Sequence, residues 1–134
     1  MTSTSGYLPG DILVVEQAAL VGSIIVSTAR ELKMPRVRLA TSIRAAEQLL
    51  QHHPFSGLIL SLNDEPAALA LIQNLRNGTY KTLANVPVAV TTTACSAELA
   101  NVLRGFLVCR ILLKPFKVRD VIMTIRMLVD EAVA

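Results

Sequence analysis

Short runs of aliphatic residues alternate along this chain with longer segments in which apolar residues recur every three or four positions. The short runs, rich in Val, Ile and Leu, are typical of strands buried on both faces of a sheet, and the longer pattern is typical of helices with one apolar face. The predicted strands are residues 12–15, 37–40, 58–62, 86–92 and 110–113. The predicted helices are residues 18–32, 43–51, 66–75, 99–106 and 118–132.

Proline and glycine mark where several of these elements end. Pro35 is expected to end the first helix, Pro54 closes the second strand-helix unit, and Asn77-Gly78 is expected to form a turn after the third helix. The apolar stripe that the first helix is expected to turn toward the core consists of Leu20, Val21, Ile24, Ile25 and Ala29.

Five strands that alternate with five helices predict an α/β fold. Helices of this length between strands favour parallel pairing, and right-handed crossovers then place helices on both faces of one sheet. In such doubly wound folds the working site lies beyond the carboxyl ends of the strands. We therefore expect functional side chains directly after the predicted strands.

The domain organisation predicted from the chain is simple. Residues 1–10 are rich in Ser, Thr, Gly and Pro and predict a flexible N-terminal arm, while residues 11–134 predict one domain. The sequence does not open on a signal peptide, and its apolar runs are shorter than the roughly 18 residues that span a bilayer. We therefore expect a cytoplasmic protein that does not associate with membranes.

The composition adds a prediction about association. The chain is 52% hydrophobic with a mean hydropathy of +0.51, more apolar than one buried core requires, which indicates a second buried face for a partner or a homodimer. The net charge is only +3 and Trp is absent, so nucleic-acid binding is not indicated. The basic residues Arg30, Lys33, Arg36, Arg38 and Arg44 are expected to lie in solvent.

Motifs for common enzymatic chemistries are absent. Cys95 and Cys109 lack the spacing of a zinc or redox motif and predict buried or half-buried thiols, and His52 and His53 are expected to be structural or solvated at a helix end. The sequence contains no GxGxxG, P-loop or GxSxG pattern. We therefore predict a protein that is not an enzyme, and a ligand-binding or enzymatic flavodoxin-like domain is the minor alternative.

Three segments together carry a family resemblance that covers the chain from Asp11 onward. Leu113-Lys114-Pro115-Phe116 follows the fifth strand, residues 86–92 form a strand that ends in Thr, and residues 54–60 lead into the third strand. These segments resemble the receiver domains of bacterial response regulators. The resemblance implies a three-layer, CheY-like (βα)5 fold with a five-stranded parallel sheet in the order 2-1-3-4-5.

The resemblance also implies a phosphoacceptor pocket, in which an Asp at the end of the third strand takes a phosphoryl group from a histidine kinase and two acids hold Mg2+. This chain has Glu16 and Gln17 at the acidic pair and Ser61 at the acceptor position, whereas Thr92 and Lys114 match the family. The expected nucleophile and one acid are missing, so the resemblance implies a degenerate pocket. We predict no cofactor, and Glu16 is the one carboxylate of this pair that could contact a metal ion.

Two further positions bear on this pocket. The loop at residues 62–66 is one residue longer than the family pattern, so Asp64 is an alternative acceptor, although with Glu65 it would also place negative charge at the start of the third helix. The position of the family's aromatic switch residue is taken by Ile111, which has no polar tip to exchange between solvent and core.

The predicted function is that of a pseudo-receiver, a signalling module of a two-component or phosphorelay pathway that works without phosphorylation. It would bind proteins through the fourth helix, fifth strand and fifth helix. The implied partners are a histidine kinase, a phosphotransferase or another response regulator. The alternative is a working phosphoacceptor that uses Asp64 or another carboxylate with Mg2+.

Overall fold

The computed structural model describes residues 10–34 and 36–133, and side chains up to residue 130. The strands are β1 (Ile12–Val15), β2 (Val37–Ala40), β3 (Gly57–Ser61), β4 (Val88–Thr92) and β5 (Arg110–Leu113). The helices are α1 (Ala19–Glu31), α2 (Ile43–His52), α3 (Glu65–Arg76), α4 (Ala97–Gly105) and α5 (Val118–Val133). Residues 1–9 of the predicted arm (residues 1–10) and the helix-ending role of Pro35 lie outside the described residues, whereas Gly10 is half-buried and its amide donates to Ser56 Oγ at 3.0 Å.

The predicted fold is confirmed. All neighbouring strands pair in parallel, and the sheet has the order β2-β1-β3-β4-β5. From β1 the chain first adds β2 on one side and then adds β3, β4 and β5 on the other, and the crossover connections change from one face of the sheet to the other at this point. This arrangement brings the ends of β1, β3, β4 and β5 to one edge.

The strand limits follow the aliphatic runs closely, with two corrections. β1, β2 and β5 have the predicted bounds, whereas β3 lies one residue earlier than predicted. β4 starts at Val88 instead of residue 86 because the Val86 amide donates to the Leu83 carbonyl in a turn, 3.1 Å away. Pro87 has no amide hydrogen, so regular pairing through its nitrogen is impossible.

Each face of the sheet has its own core. One face packs against α2, α3 and α4 through residues such as Leu50, Leu71 and Leu103. The other packs against α1 and α5 through residues such as Ile25 and Ile125. Both faces are therefore buried, which explains why the central strands are continuous apolar runs.

The predicted core stripe of α1 is partly wrong. Ile25 and Ala29 are buried as predicted, but Leu20 and Ile24 are 75% and 45% exposed. Gly22 faces β2, where a Cβ would lie only 2.6 Å from Leu39 Cδ1. Because the helix presents its glycine to the sheet, the stripe that faces the core runs through Gly22, Ile25 and Ala29.

The predicted basic cluster lies mostly in solvent, with one local interaction. Arg36 and Arg38 approach the Asp11 carboxylate at 3.1 and 3.7 Å. Partly exposed pairs of this kind contribute at most about 1 kcal/mol. Within the described part of the chain, no helix has the length and apolar character needed to cross a membrane.

A tyrosine joins α2 to the loop that follows α3, and it makes stability sensitive to alkaline pH. The Tyr80 hydroxyl donates to Glu47 Oε2 at 2.7 Å. Burial, reinforced by this hydrogen bond to Glu47, raises the pKa of Tyr80 to about 12. The folded protein therefore holds this proton more tightly than the unfolded chain does, whose Tyr pKa is about 10.

The Tyr80 contribution to stability is expected to be complete below pH ~10 and to be lost as pH rises toward ~12. Tyr80→Phe should cost about 1 kcal/mol at pH 7 and remove this alkaline decline. Urea unfolding at several pH values measures both effects. Tyr7 remains in the variant as a spectroscopic reference, and an alkaline decline that persists in Tyr80→Phe would assign it to another group.

Candidate functional site

Four strand ends bring the predicted site residues to one edge of the sheet. Val15 pairs with Leu60, Ser61 pairs with Thr91, and Thr92 pairs with Leu113. Glu16 and Lys114 directly follow β1 and β5. Residues that are far apart in the chain therefore meet at the predicted carboxyl edge.

Glu16, Ser61 and Lys114 form a connected polar cluster. The Lys114 ammonium lies 3.2 Å from Glu16 Oε1 and donates a hydrogen bond to Ser61 Oγ at 2.9 Å. Glu16 is 4% exposed and Ser61 is fully buried, whereas the Lys114 side chain is 23% exposed. The cluster holds one positive and one negative charge, so its formal net charge is zero.

The backbone fixes both charged residues of this cluster. The Glu16 amide donates to the Ala40 carbonyl at 2.9 Å, and the Lys114 amide donates to the Thr92 carbonyl at 2.7 Å. Both bonds continue strand pairing one residue beyond β1 and β5. Glu16 Oε2 also accepts from the Ala18 amide at 3.0 Å, so the carboxylate lies at the start of α1, where negative charge is favoured.

Gln17 and Thr92 lie at the same edge but face different surroundings. Gln17 Oε1 is buried and has no hydrogen-bond partner among the described residues. The Thr92 hydroxyl donates to the Ala94 carbonyl at 3.0 Å, within the loop between β4 and α4. The hydrogen bonds of the polar cluster therefore involve Ser61 and Lys114, while Thr92 bonds locally.

Asp64 caps a helix. Its Oδ1 accepts from the Ala67 amide at 3.3 Å, its side chain is exposed, and Glu65 lies in the first turn of α3. This confirms the predicted placement of negative charge at the start of the third helix. Ile111 at the predicted switch position is half-buried and packs against the core beneath α4.

A cleft of about 430 Å3 opens beside the cluster, and the sequence did not predict it. Glu16 and Lys114 line it together with apolar side chains, among them Val21 and Phe116. Phe116 belongs to the Lys-Pro-Phe segment, and this motif was the one sequence feature that could have pointed to its place in the cleft. No sequence feature pointed to Val21 as a cleft residue, because the packing of α1 decides which of its sides faces the loop after β5.

The remaining candidate residues lie apart from this edge. His52 and His53 are exposed at the end of α2, in agreement with the predicted role. Cys95 is half-buried as predicted, but Cys109, which directly precedes the edge strand β5, is exposed, and its thiol donates to the Val88 carbonyl at 3.2 Å. The described residues contain no group of three His, Cys, Asp or Glu side chains that could hold a metal ion.

Comparison with known proteins identifies the fold. No protein-family model matches the sequence, and no curated protein matches it. Among solved structures, the receiver domain of the Francisella response regulator 1452 aligns with 18% identity and a TM-score of 0.77, covering 91% of this chain and 98% of its own.

Two other solved structures agree with this match. A response regulator from Thermotoga maritima aligns with 18% identity and a TM-score of 0.76, covering 92% of this chain and 99% of its own. The Vibrio cholerae chemotaxis protein CheY4 aligns with 20% identity and a TM-score of 0.76, covering 90% of this chain and 99% of its own. At these identities the similarity concerns the fold alone, and the fold of this chain is that of response regulator receiver domains.

Proposed function

We propose that this chain is a receiver-like signalling module of a two-component or phosphorelay pathway that binds partner proteins without being phosphorylated. The observation that carries the proposal is the hydrogen bond from Lys114 to Ser61 at 2.9 Å, combined with the ion pair between Lys114 and Glu16 at 3.2 Å. A serine stands where an acceptor carboxylate is expected, and the lysine that would bind a phosphoryl oxygen is already paired.

The chemistry of Ser61 disfavours phosphoryl transfer from a phosphohistidine. A carboxylate attacks as an anion and forms a reactive acyl phosphate, whereas a hydroxyl must lose a proton and needs a base to remove it. The nearest charged group is the Lys114 ammonium, which is a donor and not a base while it is paired with Glu16. Ser61 is also fully buried, so an incoming phosphoryl group has no direct path to its oxygen.

The donor set does not suit Mg2+ either. Mg2+ prefers octahedral oxygen ligands that include one or two carboxylates, and it retains several waters. Glu16 is the one carboxylate of the cluster, and its two oxygens contact Lys114 and the Ala18 amide. Gln17 could offer only a neutral amide oxygen, so the cluster lacks the negative charge that would offset the cost of dehydrating the ion.

Exposed apolar residues support a role in protein binding. Val102 on α4, Leu113 at the end of β5 and Met123 on α5 are large hydrophobic side chains that the fold leaves in solvent. These elements are the ones on which the sequence predicted an interaction face. A histidine kinase, a phosphotransferase, another response regulator or a second copy of this chain is the class of partner that we propose for them.

The alternative function is that of a phosphoacceptor that uses Asp64. Its carboxylate is exposed and bound to the Ala67 amide at the start of α3, whereas the polar cluster is buried. Use of Asp64 would require the carboxylate to leave its helix cap, and loss of such a cap typically costs about 1 kcal/mol. The geometry therefore favours the phosphorylation-independent function.

Acetyl phosphate and Mg2+, with intact-mass measurement, test this proposal. The wild-type protein is expected to gain no phosphoryl group. Gln17→Asp/Ser61→Asp supplies carboxylates at the two positions where the family resemblance implies them, and it is expected to gain one phosphoryl group that hydroxylamine removes. Mg2+ should also raise the melting temperature of this double variant, because the ion binds only its folded state, and leave the wild type unchanged.

Gln17→Asn/Ser61→Asn is the matched control, since it has similar size without charge and should behave as the wild type does. A wild-type protein that gains a hydroxylamine-labile phosphoryl group would contradict the proposal, and Asp64→Asn would then test the alternative acceptor. If the double Asp variant is folded but gains no phosphoryl group, the residues at positions 17 and 61 are not the reason why the wild-type protein is not phosphorylated.

A further inference from the structure

A second concave surface lies at the opposite edge of the sheet from the polar cluster. It consists of two adjacent clefts of about 460 and 270 Å3, both of which are lined by Asn85, Val86 and Pro87. We call it the amino-edge groove and define it by Arg76, Leu83, Val86, Pro87, Phe106 and Leu107. Its floor and rim are mostly apolar.

Two leucines at this groove are exposed to an extent that folding does not explain. Leu83 is 69% exposed and Leu107 is 74% exposed. Leu107 also has a backbone φ of 61°, in the left-handed region where glycine is favoured. Its amide donates to the Arg104 carbonyl at 2.9 Å and the next amide donates to Leu103, which is the usual way to end a helix with a left-handed residue.

A leucine at this position carries two costs, backbone strain and exposed apolar surface. Glycine would form the same helix end without the strain, so intramolecular packing gives no reason for a leucine here. A strained residue that is also an exposed hydrophobe is a candidate for binding. Leu83 on the neighbouring loop provides a second apolar side chain of the same kind.

The charge around the groove is positive. The Arg76 guanidinium forms part of the wall, and Lys81 and Arg104, both exposed, lie within three residues of Leu83 and Leu107 along the chain. The described residues that line the two clefts include no Asp or Glu. Electrostatic complementarity therefore favours a ligand with negative charge.

We propose that the amino-edge groove binds an acidic peptide segment of a partner protein, with aliphatic or aromatic side chains of that segment packed against Leu83 and Leu107. This inference concerns the edge opposite the polar cluster and does not depend on whether the chain is phosphorylated. Apolar anchors with flanking charges are a common arrangement for peptide recognition.

Selection of random 12-residue peptides displayed on phage against the full chain tests the proposal. Enriched peptides are expected to combine at least two acidic residues with aliphatic or aromatic residues. Their affinity, measured by fluorescence polarisation with the synthetic peptides, should fall about tenfold in Leu83→Ser and in Leu107→Gly, as expected for one buried leucine contact. It should also fall as the salt concentration rises.

Leu107→Gly separates binding from folding. Glycine adopts the left-handed backbone conformation of residue 107 without strain, so the substitution should raise the melting temperature by about 3 °C while it weakens peptide binding. Leu20→Ser is the matched control, since Leu20 is equally exposed but lies on α1, and it should bind the peptides as the wild type does.

Several outcomes would overturn the proposal. These are a selection without enrichment, enriched peptides that lack acidic residues, and full binding by Leu107→Gly. Amide shifts on peptide addition that cluster at Glu16 and Lys114 would place binding at the other edge. Concentration-dependent self-association that Leu107→Gly abolishes would assign the groove to a second copy, and tighter peptide binding after deletion of residues 1–9 would assign it to the chain's own N-terminal segment.

Discussion

Replacing Lys114 with methionine is expected to lower the free energy of unfolding by about 3 kcal/mol, near the lower end of the cost of breaking a buried ion pair. The variant would leave the Glu16 carboxylate, which is 4% exposed, with the Ala18 amide as its remaining hydrogen-bond donor. Ser61 would also lose its donor in the fully buried site. Urea unfolding at pH 7, followed by circular dichroism, measures the loss.

Two control variants make the Lys114 result interpretable. Lys117→Met removes an exposed lysine of the same loop and should change stability by less than about 0.5 kcal/mol. Glu16→Gln/Lys114→Met removes both charges, so it should recover a large part of the loss because no unpaired buried charge remains. A loss below about 1 kcal/mol in Lys114→Met would mean that water solvates Glu16 in the variant.

Replacing Arg76 with methionine is the second large effect that we expect, again about 3 kcal/mol. The guanidinium donates to the carbonyls of Phe106, Ala84 and Val86 at 2.7–2.8 Å, and so joins the end of α3 to two loops. Burial lowers the pKa of Arg76, an effect that its interaction with Cys109 opposes. Removal of the guanidinium would leave three carbonyls without a donor, at about 1 kcal/mol each.

The comparison with Arg104 tests whether these carbonyl bonds are the cause. Arg104 is exposed and donates to Asn101 Oδ1 at 3.2 Å, so Arg104→Met should cost less than about 0.5 kcal/mol. Arg76→Lys keeps the charge but lacks the planar fork, and we expect it to lose about 2 kcal/mol. Faster amide exchange near residues 84–87 and 105–109 should accompany the loss, and an Arg76→Met protein as stable as Arg104→Met would contradict this account.

The sequence alone was sufficient for the order and type of every element. A continuous aliphatic run set the limits of β1, because a strand buried on both faces requires apolar residues at each position, whereas the edge strands β2 and β5 each include an arginine. The alternation of strands and helices then implied parallel pairing and two covered faces. The resemblance to receiver domains assigned Ser61 and Lys114 to the carboxyl edge, at the ends of the third and fifth strands.

Only the tertiary structure decided which of these residues contact one another. Lys114 and Ser61 are 53 residues apart, and their hydrogen bond depends on the positions of β3 and β5 in the sheet. The contacts of Arg76 could not be predicted, because carbonyls that belong to distant loops leave no pattern in the sequence. Periodicity identifies the apolar residues of a helix, but the packing of neighbouring elements determines which of them are covered, so Leu20 and Ile24 are exposed while Ile25 is buried.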